Sequence, residues 1–303
     1  MAPSLDVICV GHLVYDIRDY VEDFPQADKT VFLRRPPAIS AGGSAANAAL
    51  NAVRLGHSAG LVSNVGDDPH GRFLLAELAR EGIHSPHVKL VKGGRTGLSI
   101  VLIDKNGEVM VVEDTGCVDA KRRLPADYIA SARWVHLSGC SYDWMLQTAK
   151  AAHDGGKPLS VDPGRAASRL GMKKLAPVLE KTDLLILNRK ELLALTGSSA
   201  LEEVRRLSKK FDCSVVLKTG HGPAVCSASG AAAFEVPPFN ASEVVDTIGA
   251  GDAFDAGVIC GKLERKPLYE AVRLGHACAA AKVMHAGAQS MPKRAVVKKH
   301  FKF

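Results

Sequence analysis

The sequence predicts an α/β fold of three layers, with a mostly parallel central sheet covered by helices on both faces and a small β-sheet lid. Three observations predict it. Short apolar runs that read as buried strands alternate with helical stretches along most of the 303 residues. Two early segments break that rhythm by mixing polar and apolar residues, as strands of a separate sheet would. No repeat, low-complexity run or linker divides the chain, so 1–303 reads as one domain, with lid segments near 12–40 and 95–115.

Taken in order, Leu5 to Val10 is a buried strand that ends at Gly11. Tyr20 to Arg35 mixes polar and apolar residues around Pro25, and Val31-Phe32-Leu33 reads as an exposed strand of the small sheet. The turn Ala41-Gly42-Gly43 feeds an alanine-rich helix that ends near Gly56. Ala59 to Val65 is a strand stopped by Gly66-Asp67-Asp68-Pro69, and His70 to Glu81 is an amphipathic helix closed by Gly82. Thr96–Ile103 and Glu108–Val112 flank an Asn106-Gly107 hairpin turn. Strands at Trp134–Leu137, Pro158–Asp162, Leu184–Asn188 and Ser214–Lys218 then alternate with helices near Met145–His153, Met172–Glu180, Arg189–Leu195 and Leu201–Lys210. A hairpin near Ala224–Val236, a strand end at Glu243-Val244-Val245, and helices at Ala253–Gly261 and Leu268–Met284 complete the chain.

Composition excludes several classes. A net charge of +7 with only 5% aromatic residues does not make the basic, aromatic-interleaved surface of a nucleic-acid binder. The seven cysteines are scattered without a Cys-x-x-Cys pair and read as small buried hydrophobes in a reducing compartment. No leader pattern and no apolar run of about 18 residues occurs, so a cytoplasmic protein is expected.

In an open parallel sheet, ligands bind at the carboxyl ends of the strands. Asp16, Gly42-Gly43, Asp162, Asn188, Lys218-Thr219-Gly220 and Gly249–Asp252 are read at such ends. The last group is the most specific. Gly249 and Gly251 allow close backbone approach on a strand-to-helix turn, where N–H groups and the helix N-terminus suit an anion. Asp252 beside that site would repel the anion, and is sensible there as the group that takes a proton from a hydroxyl attacking a phosphate. Spacing alone also allows Asp252 to be a capping residue. A Walker loop and a dinucleotide fingerprint are both absent.

Asp246-Thr247-Ile248-Gly249-Ala250-Gly251-Asp252 resembles the C-terminal signature of the ribokinase-like (PfkB) family of carbohydrate and nucleoside kinases, and Gly42-Gly43 with Asn47 resembles the N-terminal one. The resemblance runs in the expected order over nearly the whole chain. It implies a ribokinase-like fold, phosphoryl transfer from ATP or ADP with Mg²⁺, an anion hole at Gly249, Ala250 and Gly251, and Asp252 as base. It places the acceptor against Asp16, Gly42, Gly43 and Asn47; separately, Arg34, Arg35, Arg95 and Arg165 lie in lid or strand-end segments where they could meet a phosphate already on the sugar. Asn188-Arg189-Lys190-Glu191 resembles the family's Asn-x-x-Glu motif, which implies that Glu191 holds Mg²⁺, partly through water. The nucleotide side would comprise Asn188, Lys218, Thr219, Gly220, Gly222 and His276; Pro223 stands where the family has glycine. Asp246, Ile248 and Ser290 match positions that hold K⁺ in many members.

Val14 and Ser44 replace an asparagine and a lysine of ribokinases proper, which brings the chain nearer to the nucleoside kinases. A ribosyl acceptor is expected, a nucleoside first and a sugar phosphate such as ribose 1-phosphate second. A non-catalytic sugar- or nucleoside-binding regulator would use the same pocket but has little reason to keep Asp252. The exposed lid edges invite a homodimer.

Overall fold

The computed structural model of the chain describes residues 4–303. Its elements in chain order are β1 (Val7–Gly11), β2 (Val14–Tyr20), β3 (Ala38–Gly42), α1 (Ser44–Arg54), β4 (Ala59–Gly66), α2 (Pro69–Arg80), β5 (His84–Val91), β6 (Leu98–Ile103), β7 (Val109–Asp114), α3 (Ala126–Ile129), β8 (Trp134–Ser138) and α4 (Tyr142–Asp154). The second half continues with β9 (Leu159–Asp162), α5 (Gly164–Ser168), α6 (Gly171–Leu179), β10 (Leu184–Asn188), α7 (Arg189–Thr196), α8 (Glu202–Phe211), β11 (Ser214–Lys218), β12 (Ala224–Ser227), β13 (Phe234–Val236), α9 (Ala250–Leu263), α10 (Leu268–Val283) and α11 (Arg294–His300).

Every residue of β1 is buried, because helices cover both sides of the sheet. Alternation then assigns each side chain to a layer. Val7 and Cys9 face a core built with α1, α2, α9 and α10. Ile8 and Val10 face the opposite core with α4, α6, α7 and α8. The same division splits Leu184 and Ile186 from Leu185 and Leu187 on β10.

The main sheet has nine strands in the order β13-β12-β11-β10-β9-β8-β1-β4-β5. It is parallel except at β11–β12 and β12–β13. From β1 the chain builds outward to β4 and β5, then returns to β8 on the other flank and builds outward again. The reversal lies between β1 and β8, the switch point at which such sheets hold their ligands.

The four-stranded sheet β3-β2-β6-β7 is built from two insertions, β2 and β3 between β1 and β4, and β6 and β7 between β5 and β8. Its registers place Asp16, Ser40, Ser99 and Glu113 in one row across the strands, and Ile17, Ile39, Ile100 and Val112 in the next row on the opposite face.

Three sequence expectations are corrected. Val31-Phe32-Leu33 makes only a single bridge, from Leu33 to Val21. Pro36 and Pro37 lack the N–H groups a ladder needs, and pairing resumes at Ala38. Glu243-Val244-Val245 is not a strand either: Val245 N–H donates to Val283 O at the end of α10, off the sheet. Asp16, expected at a main-sheet strand end, lies inside β2 of the small sheet.

Candidate active site

At the switch point the first residues after β1 and β8 meet, His12 N–H donating to Gly139 O at 2.8 Å. A cleft of about 740 Å³ opens there, lined among others by Asp119, Asp162, Asn188, Glu191, Lys218 and Asp252. The small sheet contributes Val111 and Glu113 to its wall.

Asp252 sits in the first turn of α9, whose cap is Gly249 at φ 76°. Glycine is needed there twice over: the left-handed backbone disfavours other residues, and a Cβ would lie 2.7 Å from Ala288 O. The N–H groups of Ala250, Gly251 and Asp252 precede the first intrahelical bond, which runs from Ala253 N to Gly249 O. Ala250 N–H turns back to Thr247 O at 3.2 Å, which leaves those of Gly251 and Asp252 to meet an anion.

The carboxylate of Asp252 is aimed by a relay. Asn47, buried on α1, donates from Nδ2 to Asp252 Oδ2 at 2.7 Å. Its Oδ1 accepts from Gln289 Nε2 at 3.2 Å, which fixes which way the Asn47 amide points. Burial raises Asp252 to about 6, against the lowering effects of Asn47 and Lys218. It is therefore ionised near neutral pH and close to its own titration, as a general base requires.

Asp16 is 5% exposed, and burial raises it to about 7 despite Arg18 and Ser99. It is pressed against Gly42, where a Cβ would lie 2.1 Å from Asp16 Oδ2. Gly42 is thus a site of close approach, and no side chain fits. Arg18 follows Asp16 by two residues on the same face of β2 and is also buried. Among the described residues its Nε and Nη1 have no acceptor.

Lys218 closes the far end. Its Nζ contacts Asp162 Oδ2 at 2.8 Å and both oxygens of Asp255 at 3.0 and 3.2 Å. Burial would raise Asp162, but Lys218 outweighs it and holds Asp162 at about 2. Burial raises Asp255 well above the usual carboxylate range, against the lowering effect of Lys218. The same ammonium lies 3.5 Å from where a Gly251 Cβ would be, beside the free N–H groups of the turn. Asn188 and Glu191 form a capping box on α7: Asn188 Oδ1 accepts from Lys190 N and Glu191 N, and Glu191 Oε2 accepts from Asn188 N at 2.8 Å. Burial raises Glu191 above the usual glutamate value.

The remaining expected residues divide. Arg165 lines the cleft from the exposed start of α5. Thr219, Gly220 and Gly222 occupy the turn after β11, where Thr219 Oγ1 donates to Pro223 O at 2.9 Å. His276, assigned to the nucleotide side, lies inside α10, with Nε2 3.1 Å from Val236 O and its ring edge-on to Phe254. It is mostly buried there.

Asp246 and Ile248 are joined by an Ile248 N–H bond to Asp246 Oδ1 at 2.7 Å, and Ser290 donates to Gly287 O at 2.6 Å. Sequence reasoning passed over Arg18, Asp255, Gln289 and Lys282. Two of these carried a local signal: Arg18 alternates with Asp16, and Asp255 follows Asp252 by one helical turn.

An α/β sheet with a glycine turn at a helix start and an ionisable carboxylate at its switch point is an arrangement of the ribokinase type. The pattern of the pfkB family of carbohydrate kinases matches residues 4–294, and the chain belongs to that family of phosphotransferases. Over 290 residues, 94% of each chain, it is 33% identical to the ATP-dependent ribose-1-phosphate kinase of Halopiger xanaduensis. It is 28% identical to a nucleoside kinase of Methanothermobacter thermautotrophicus, covering 96% of this chain and 93% of that one. Among solved structures, Arabidopsis thaliana ribokinase complexed with ribose and ATP superposes with a TM-score of 0.85 at 27% identity, covering 99% of this chain and all of that one.

Proposed function

We propose that this kinase transfers the terminal phosphoryl group of ATP to the primary hydroxyl of a ribosyl compound, with Asp252 taking the hydroxyl proton. The Asn47–Asp252 bond carries the reading, because it ties the glycine-rich helix start on the acceptor side to the carboxylate at the anion turn. In this reading Asp16, whose carboxylate can accept from two neighbouring hydroxyls, holds the sugar diol. The acceptor oxygen meets the Asp252 carboxylate, its bond to the terminal phosphorus forms as the bond to the bridging oxygen breaks, and the proton passes to Asp252. The N–H groups of Gly251 and Asp252 and the Lys218 ammonium face the charge on the transferring group.

No group of three or more His, Cys, Asp or Glu side chains among the described residues is placed to hold a metal ion. Asn188 and Glu191, at the cleft wall, fit instead an ion such as Mg²⁺ that keeps most of its water and takes its other oxygens from the nucleotide. Bound there, it would neutralise phosphate charge. The small sheet acts as a lid through Asp16 and Glu113. Its outer row, Ile39, Ile17, Ile100 and Val112, is apolar and partly exposed, which supports a homodimer through this face. Free, mostly buried cysteines suit the reducing cytoplasm, where ATP is present.

A second reading, that the acceptor already carries a phosphate, is favoured by Arg18, a buried guanidinium beside Asp16 with N–H groups lacking acceptors among the described residues. The similarity to a ribose-1-phosphate kinase supports it. The test is phosphorylation of ribose, inosine, adenosine and ribose 1-phosphate with ATP, with and without Mg²⁺. Asp252→Asn is expected to lower kcat by about 10²–10⁴ while acceptor binding persists. Near-normal turnover of that variant would refute the mechanism.

A further inference from the structure

The family resemblance places K⁺ at Asp246, Ile248 and Ser290, and the Asp246 carboxylate and Ser290 hydroxyl as folded do not fit it. Asp246 is buried, and both of its carboxylate oxygens already accept backbone N–H groups, Oδ1 from Ile248 at 2.7 Å and Oδ2 from Gly287 at 2.6 Å. The Ser290 hydroxyl is turned to Gly287 O at 2.6 Å and lies 3.1 Å from His285 O. A positive charge is in place too. Lys282, near the end of α10, is 0% exposed, and its Nζ donates to Asp246 O at 2.8 Å and lies 3.6 Å from Asp246 Oδ1. A second cation stands on the other side of the loop: a Cβ on Gly287 would lie 2.3 Å from Nη1 of Arg18, so that guanidinium lies directly on the Gly287 backbone.

We propose that the Lys282 ammonium serves as a tethered cation at the anion turn, so that this kinase neither needs nor binds K⁺. A fully buried lysine is rare unless it is paired, and this one pairs with a residue that connects two loops. Through its backbone Asp246 leads into the turn that bears Gly251 and Asp252. Through Oδ2 it holds Gly287 of the loop that also bears Gln289, the residue that orients Asn47. Lys282 is thus a positioning residue, doing for both loops what a bound ion would do. An ion added beside Asp246 would be a second positive charge on a carboxylate that already faces Lys282, with Arg18 close by on the Gly287 backbone.

The inference rests on the reading of the turn as the anion site, and direct ion binding tests it without turnover. Tl⁺ replaces K⁺ and is visible by ²⁰⁵Tl NMR. The wild-type protein is expected to show no saturable Tl⁺ site, and its rate is expected to agree within about twofold in K⁺, Na⁺ and tetramethylammonium at fixed ionic strength. Lys282→Met is expected to lose 10-fold or more of kcat in tetramethylammonium, to recover part of it with K⁺ or NH₄⁺, and to gain a Tl⁺ site. Saturable Tl⁺ binding to the wild type, tenfold activation of it by K⁺, or a Lys282→Met variant with wild-type kcat in every cation would overturn the proposal. If Lys282→Met does not fold, the two wild-type measurements still decide it.

Discussion

Replacing Asn47 with alanine separates two roles that one side chain could have. Asn47 Nδ2 donates to the charged form of Asp252 at 2.7 Å, so its loss favours the protonated form. A hydrogen bond to a charged group is worth about 1.5–3 kcal/mol, and 1.36 kcal/mol corresponds to one pH unit of titration. Asp252, held at about 6 with the bond in place, should then titrate between about 7 and 8. The sign follows from the mechanism, since the base must be ionised and activity is lost as pH falls through its titration. In the wild type about 90% of Asp252 is ionised at pH 7; with a value near 7.5 this drops to about 25%, a loss of roughly fourfold that pH 9 restores. The assay is kcat/KM against pH for both proteins, because that ratio reports the free enzyme. If the acid limb stays near 6 while the rate falls equally at every pH, Asn47 acts on the acceptor and not on the base.

Three further outcomes are expected. Lys218→Met leaves Asp162 and Asp255 without their buried partner and should cost about 3–5 kcal/mol in denaturant unfolding, part of which the added change Asp255→Leu should return. Asp16 and Asp252 titrate near 7 and 6 in the fold, against about 4 when unfolded, so the native protein holds more protons between about pH 4 and 7 and their contribution to stability falls as pH rises through that window. Asp16→Asn should therefore flatten the stability profile and stabilise the protein at pH 8 while weakening acceptor binding, to be read by thermal unfolding and calorimetry. Val112→Asp, on the outer row of the lid, should yield a monomer in sedimentation experiments if two copies pair there.

Buried parallel strands were readable because both faces are covered, so their apolar runs are continuous and end at glycine or a polar residue. Apolar triplets were less informative. Val31–Leu33 and Glu243–Val245 have strand-like residues, but their fate depends on prolines and on the end of α10, which no local pattern reveals. The strand β5 was overlooked because it carries His84, Pro86, His87 and Lys89 on the sheet edge. The same division runs through the site. Gly42-Gly43 and Gly249–Asp252 are local turn chemistry and stand in sequence as they stand in space. The residues that finish the site lie far along the chain: Lys282 reaches Asp246 across 36 positions, and Lys218 meets Asp162 across 56. A lysine in an alanine-rich helix gives no sign that the fold will bury it.

The Gln289–Asn47–Asp252 relay also sets when the protein becomes competent during its synthesis. Asn47 and Gln289 are 242 positions apart. At translation rates of about 5–20 residues per second, about 12–48 s pass between the making of Asn47 and of the residue that orients it. Asp252 itself is made 205 positions after Asn47, so most of that interval passes before the carboxylate exists. The relay is therefore complete only once Gln289 has been made, after every strand of both sheets.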